Sequence, residues 1–540
     1  MKESIFEARS FFILSFILLI SLALRLYAIN TIPASLNPDE AALGYNSYSI
    51  LKTGSDEHGA FLPLSLKSFG DWKLPGYSYI TTIPIFLFGL SESSIRLPSV
   101  IAGVVGVLLI YYIAYFIFKK RSISQLSALF FALSPWNIYF SRAAYEVNLG
   151  LTFFLLGLFF FLLYLNKKSS FSIISSGICF GLTFFTYHAF AIFVPLFLAG
   201  LVIRYWKNID KKTSSVVACS IVLFLLVTFI VSTIHGGVNK IATLNIFNDQ
   251  NIIYERAEKL RGDRSKKNDF IEKILFNKFT GVSYQLAQNY LLSFSPSFLF
   301  DKGGEKLVHN LGSIGNLYLT DVVFLFIGFI TIFWNREKQL PLLLIWLIAG
   351  PIASIITRDT PNSTRLYMLM PLFVLLSAYG AHEIITSKLK KVGVFLMIIV
   401  CGLYIINVLY FLDIYFVHMN VQRIRFWHYG YKQSVELAKK YPSFNVVMKG
   451  PENFPYIYFL FYEKYDPLKF RKEVEYYPPT SEGFYFVKKF GRFSFVEKIN
   501  YESLKPETIY IDSTRLDDKK HSILLPNGDL VFGFLITQKK

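Results

Sequence analysis

Long apolar runs alternate along this chain with short polar segments, and most runs approach the roughly 20 residues that a bilayer core requires. About eleven of them read as membrane-spanning helices, near 11–29, 98–118, 123–140, 149–165, 170–187, 189–206, 214–234, 318–334, 339–357, 365–385 and 392–412. The basic residues test that layout. Lys119-Lys120-Arg121, Lys167-Lys168, Lys207 with Lys211-Lys212, Arg336 with Lys338, and Lys388 with Lys390-Lys391 all fall on one side. Lys2 and Arg9 join them. An excess of Lys and Arg marks the cytoplasmic side, so the pattern predicts a cytoplasmic N-terminus and an extracytoplasmic C-terminal tail.

One apolar segment departs from the pattern. "GYSYITTIPIFLFGL" (76–90) is short and contains a proline, and counting it as a span would put Lys119–Arg121 outside. It reads as an interfacial or re-entrant helix on the outer face. The first run follows Lys2 and Arg9 as a signal peptide would, but no small-residue cleavage site follows, so a retained helix is expected. Three regions then lie outside: loops at about 30–97 and 235–317, and the tail from 413. In the tail, "FNVVMKG" and "ETIYIDS" read as strands, and "SILLPNGDLVFGFLI" reads as a hairpin turning at Asn527-Gly528. The expected architecture is an α-helical multi-pass membrane domain over 1–412 with a small α/β domain over 413–540.

Composition sharpens the class. Of 540 residues, 53% are hydrophobic, 18% aromatic and only 17% charged, which excludes an ordinary soluble protein. The net charge of +18 is spread over short clusters between apolar runs rather than gathered in an arm, so nucleic acid is not an expected partner. Cys179, Cys219 and Cys401 all sit within apolar runs, without spacing for a metal or a disulfide framework.

Candidate chemistry gathers on the outer side. "NPDEAALGYNSYSI" (37–50) sets Asp39 and Glu40 side by side just after the first span. Asn37 is a good N-cap, Pro38 suits the first helical position, and acids in a first turn favour the helix dipole, so capping alone could account for them. The stretch reads as a short amphipathic helix lying on the membrane. The first loop adds His58, Asp71 and Lys73, and "SPWNIYFSRAAYEVNLG" adds Arg142 and Glu146, four apart and so on one face if helical. "TRDTPNSTRLYMLMPLF" adds Arg358, Asp359 and Arg365. Arg358, Arg365 and Lys73 could simply snorkel, and Arg142 with Glu146 could be an exposed helix pair contributing about 0.3–0.5 kcal/mol. Acids together with several cations on one side are also the minimum equipment for moving a group off a lipid phosphate: a base and a phosphate-binding set.

These motifs resemble a known family. The acidic pair in "DEAALGYNSYSILKTG", the later "DWKLPGYSY", the Arg-Leu-Pro entry at Arg96 to Pro98 in "IRLPSVIAGVVGVLLIYYIAYFIF", and "SRAAYEVNLG" are similar to membrane glycosyltransferases of the GT-C type. The nearest group is that of the protein O-mannosyltransferases and lipid A aminoarabinose transferases. Leu74 stands where that family's Lys-Pro-Pro-aromatic pattern has its first proline, and Glu146 where the aminoarabinose transferases have aspartate. The resemblance implies a polyprenyl-phosphate-linked sugar donor and inverting transfer to an acceptor hydroxyl of a lipid, glycan or protein, among membrane lipids. It implies Asp39 as base, Lys73, Arg142 and Arg365 as candidates for the departing phosphate, and Glu40 and Glu146 as positioning acids. Arg358 and His58 are further candidate contacts, and His309, in the glycine- and aromatic-rich "NYLLSFSPSFLFDKGGEKLVHNLGSIGNLYLTD", is another. Some GT-C enzymes use a divalent ion, but the acids here lack an Asp-x-Asp spacing, so no metal and no cofactor are expected. The rival classes are a transporter or flippase for lipid-linked sugars and a non-catalytic membrane assembly subunit. The former would place ionisable residues at mid-membrane and often shows an internal repeat; here no repeat is evident and the ionisable residues crowd at the outer edge, with Asp321 and Glu383, near span ends, as weak exceptions.

Overall fold

The computed structural model describes residues 2–208, 245–248, 277–386, 390–480, 483–514 and 522–538, with Val222 and Leu226 between them. The expected span at 214–234 and much of the expected loop at 235–317 lie outside the described residues. Two compact units emerge. One comprises Met1–Leu24, Ala102–Tyr139 and Val147–Phe411; the other comprises Arg25–Ile101, Phe140–Glu146 and Leu412–Lys540.

The first nine helices are α1 (Lys2–Leu26), α2 (Pro38–Thr53), α3 (Gly76–Phe88), α4 (Glu92–Phe118), α5 (Arg121–Leu133), α6 (Pro135–Ser141), α7 (Glu146–Lys167), α8 (Ser170–Thr183) and α9 (Phe190–Tyr205). Among the described residues, six helices are long and apolar enough to cross a membrane: Arg9–Leu26, Glu92–Phe118, Glu146–Lys167, Phe190–Asn208, Tyr367–Thr386 and Ile398–Gln422. Phe11, Phe12 and Phe16 of α1, and Ile398, Ile405 and Leu409 further on, turn outward, as lipid-facing side chains do.

Other expected spans are shorter or broken. The run 123–140 divides into α5 and α6 at an extended Ser134 (ψ 127°). Pro135 causes the break, because its ring disfavours helical backbone in the preceding residue and it has no N–H to donate. The run 339–357 is interrupted at Gly350-Pro351, between Leu340–Ala349 and Ile352–Ile355, although Gly350 itself keeps helical backbone (φ −57°, ψ −45°). The segment expected as an outer loop at 235–317 contains a helix at Lys278–Leu292, capped by Asn277. Within this unit the helices Asp321–Trp334 and Met370–Thr386 pack backbone to backbone: a Cβ at Gly328 would strike the Leu376 carbonyl, and one at Gly380 the Phe324 carbonyl. Such small-residue seams are how helices approach closely where water supplies no driving force.

The second unit is built differently. Its tail forms a mixed sheet of seven strands among the described residues, in the order β4-β5-β6-β3-β7-β9-β8. A separate hairpin, β1 (Leu66–Ser68) with β2 (Asp71–Lys73), comes from the first loop. The tail strands are β3 (Asn445–Lys449), β4 (Glu475–Tyr476), β5 (Val487–Phe490), β6 (Phe493–Val496), β7 (Thr508–Asp512), β8 (Ser522–Leu524) and β9 (Leu530–Thr537). β3 pairs in parallel with both β6 and β7, while β8 and β9 form the hairpin expected around Asn527-Gly528, with Gly528 at φ +87°. The strands within "FVKKFGRFSFV" and "LKSFGDWK" are additional to those expected from the sequence.

The helix α2 is not an amphipathic surface helix. Glu40 through Ser47, then Ser49 and Ile50, are all buried, within a core that includes Tyr45, Phe461 and Phe470. Burial on every side is possible because its polar residues are satisfied locally: Asn46 donates to the Ala42 carbonyl at 3.0 Å and Ser47 to that of Leu43 at 2.6 Å. Helix α3, 13 residues with Pro84 inside, is too short to span. It exposes Ile83, Phe86, Leu87 and Phe88, an apolar face suited to the membrane interface.

Candidate active site

Residues 37–40 form a capping box at the start of α2. The Glu40 N–H donates to Asn37 Oδ1 at 2.9 Å, the Asn37 N–H donates to Glu40 Oε2 at 3.3 Å, and Pro38 takes the first turn. The two adjacent acids then diverge. Successive helical residues point about 100° apart, so Glu40 faces inward, only 1% exposed, while the Asp39 side chain is 70% exposed.

Glu40 is occupied by Arg96, which is wholly buried on α4. A guanidinium carries five N–H donors, and all five are used here. Nε donates to Glu40 Oε1 at 3.1 Å, and Nη2 to Glu40 Oε2 at 3.3 Å and the Ser35 carbonyl at 2.8 Å. Nη1 donates to the carbonyls of Ile29 at 2.8 Å and Pro33 at 3.2 Å. Glu40 Oε1 also accepts the Ala144 N–H at 2.9 Å. One buried ion pair thus ties together the segment between α1 and α2, the start of α2, the start of α4 and the turn before α7. Both Glu40 oxygens thus accept hydrogen bonds from within the protein. In the sequence Arg96 stands out only as part of a motif; an arginine four residues into an apolar helix, with an acid pair upstream, is the available signal.

Asp39 instead pairs with Lys73, the last residue of β2, whose side chain is 11% exposed. The register Leu66↔Lys73 closes the hairpin through the two-residue turn Phe69-Gly70. The Lys73 ammonium also lies 5.7 Å from the Phe69 ring centre. A solvent-facing carboxylate and a cation therefore share one spot.

Arg142 corrects the expected phosphate set. It is buried, donates to the carbonyls of Arg25 and Ile32 at 3.0 Å each, and lies over the rings of Phe416 and Tyr415 at 4.7 and 5.2 Å. Its charge is spent on closing carbonyls inside the unit. Nor does it share a helical face with Glu146: α6 ends at Ser141, residues 142–144 turn, and Glu146 begins α7. His58 is engaged as well, with Nε2 at 3.4 Å from Glu57 Oε1. Burial pushes its imidazole pKa down, but the hydrogen bond and charge of Glu57, with Asp56, outweigh that and raise it.

Arg358, Arg365 and His309 belong to the other unit. There Arg365 pairs with Asp359 and donates to Thr357 Oγ1 at 2.8 Å, and Lys306 reaches Asp359 at 3.0 Å. Burial alone would raise the Asp359 carboxyl; the two cations hold it well below the usual range. Lys306, His309, Asp359 and Asn362 line a small cleft, and Arg358 is exposed beside it. Among the described residues no group of three or more His, Cys, Asp or Glu is arranged to hold a metal ion.

Comparison with known proteins places this architecture. Residues 73–232 match the family model described as dolichyl-phosphate-mannose-protein mannosyltransferase. The structure is similar to that of the archaeal oligosaccharyltransferase AglB from Archaeoglobus fulgidus in complex with an inhibitory peptide and a dolichol-phosphate. The TM-score is 0.51 at 14% identity, over 84% of this chain and 64% of that one. The chain has the GT-C glycosyltransferase fold. It is a multi-pass membrane protein. The apo form of the Archaeoglobus fulgidus oligosaccharyltransferase matches with a TM-score of 0.50 at 15% identity, over 84% of this chain and 63% of that one. The chain therefore spans just under two thirds of the length of these archaeal enzymes. ArnT from Cupriavidus metallidurans bound to undecaprenyl phosphate gives a TM-score of 0.49 at 12% identity, covering 84% of each chain. By sequence, no curated protein matches.

Proposed function

We propose that this glycosyltransferase moves a sugar from a polyprenyl-phosphate donor to an acceptor hydroxyl at the extracytoplasmic membrane surface, with inversion at the anomeric carbon. One observation carries the reading: Asp39 is exposed beside Lys73 while its neighbour Glu40 is locked to Arg96. Such an arrangement provides a proton acceptor and a cation at one rigid place. In the reaction the acceptor oxygen bonds to the anomeric carbon as Asp39 takes its proton. The bond from that carbon to the phosphate oxygen breaks, and its electron pair leaves with the phosphate. Lys73 meets the charge that develops there. Direct attack on the face opposite the leaving group gives inversion. A dolichyl-phosphate donor in the name of the matching family model supports the donor class. For the other unit, we assign the basic set of Lys306, Arg358 and Arg365, with His309, to anionic or hydroxyl groups of a substrate.

The test is to incubate purified protein with radiolabelled polyprenyl-phosphate sugars and a membrane extract. Label should leave the donor only when protein and acceptor are both present. Label that crosses a vesicle bilayer still attached to its lipid would establish the flippase instead.

Orientation is tested separately, motivated by the basic clusters. In a chain whose cysteines at 179, 219 and 401 are replaced by alanine, Lys440→Cys, exposed just past the helix Tyr431–Lys439, should react with an impermeant thiol reagent in intact cells. Labelling only after lysis would invert the topology.

A further inference from the structure

The hairpin that delivers Lys73 is too small to hold itself. Each strand has three residues, and an isolated two-stranded hairpin of any length is marginal in water. Its turn is also demanding. Phe69 (φ +60°) and Gly70 (φ +92°) both occupy positive φ, as a tight hairpin turn requires, but a bulky aromatic residue rarely adopts that conformation. Backbone held in such a region persists only where its surroundings over-determine it.

Those surroundings come from the C-terminal tail. The Phe69 ring lies 4.3 Å from that of Phe454 and 6.0 Å, edge-on, from that of Tyr456. The Tyr485 N–H donates to the Phe69 carbonyl at 3.4 Å, and the Lys67 ammonium sits 3.9 Å over the Tyr485 ring. Gly70 lies against the tail backbone so closely that a Cβ there would strike the Gly483 carbonyl and come within 2.8 Å of Phe484 Cα. The other side of this chain of contacts is Lys73, over the same Phe69 ring and paired with Asp39.

We propose that the tail is a positioning element of the active site: Phe454 and Tyr485, acting through Phe69 and the close approach at Gly70, hold the β1–β2 hairpin so that Lys73 meets Asp39. The proposal rests on the reading of Lys73 as the cation that receives the donor's phosphate. On this account the tail, remote in sequence from the acidic pair, governs donor handling without touching the donor.

The experiment uses the full chain and two readouts. Acylation of Lys73 by an amine reagent, read by mass spectrometry, reports the hairpin without any activity. Steady-state transfer reports KM for the polyprenyl-phosphate donor and for the acceptor. Phe69→Leu and Gly70→Ala should each raise Lys73 acylation several-fold. They should raise the donor KM about tenfold, less than the roughly hundredfold a 1 Å misplacement can cost, with the acceptor KM unchanged. Tyr485→Ala should do the same, and Tyr485→Phe, which keeps the ring under Lys67, should behave as wild type. In a Lys73→Met background, Phe69→Leu should have no further effect on the donor KM. Unchanged acylation in both hairpin variants overturns the proposal, and so does a Phe69→Leu effect of equal size with and without Lys73. Raised acylation with an unchanged donor KM upholds the positioning and overturns the phosphate role of Lys73 instead.

Discussion

Asp39→Asn is expected to lower sugar transfer by about 10²-fold or more, the usual contribution of a positioned general base, with the fold nearly untouched. Stability is spared for a structural reason. The cap of α2 is Asn37, and its reciprocal partner is Glu40, so the capping box does not involve Asp39. What Asp39 loses is its pairing with Lys73 and its favourable place at a helix N-terminus. For a side chain this exposed, that amounts to less than about 1 kcal/mol after solvent screening. The unfolding midpoint in detergent should therefore move little while turnover collapses. Asparagine fills the same volume and cannot accept the acceptor's proton. A variant that transfers sugar at the wild-type rate would mean that Asp39 only decorates the helix end, and the proposed mechanism would fail.

Arg96→Met is expected to have the opposite profile, with a large loss of stability and activity lost as a consequence. Removing the guanidinium leaves the Glu40 carboxylate buried without its cation and takes donors from the carbonyls of Ile29, Pro33 and Ser35. Breaking a buried ion pair from one side costs about 3–5 kcal/mol, because the remaining charge stays desolvated. Arg96→Lys should recover only part of this, since one ammonium cannot reproduce the five directions of the fork. Adding Glu40→Leu to Arg96→Met should also recover part, by removing the orphaned charge. Denaturant unfolding of the detergent-solubilised protein measures all three. A single Arg96→Met variant within about 1 kcal/mol of wild type would show that the pair does not hold the acidic loop.

Hydropathy along the chain was enough to establish a multi-pass helical membrane protein, because a bilayer admits only long apolar helices or closed barrels and the code for the former is linear. The cap at Asn37-Pro38, the short helix at 76–88 and the hairpin at Asn527-Gly528 were legible for a similar reason: each is decided by residues within a few positions of one another. What linear pattern could not assign was the fate of two adjacent carboxylates. Asp39 and Glu40 look equivalent in sequence, and only the arrival of Arg96, 56 residues on, buries one and leaves the other to solvent. Arg142 misled in the converse way. Its place beside an apolar run suits an open phosphate site, yet carbonyls of Arg25 and Ile32, more than 100 positions upstream, enclose it. The link from the tail through Phe69 to Lys73 spans nearly 400 residues and carries no local signature. Charged side chains take their function from which distant partner neutralises them, and that choice is made when the chain folds, by desolvation and geometry that no window of sequence contains.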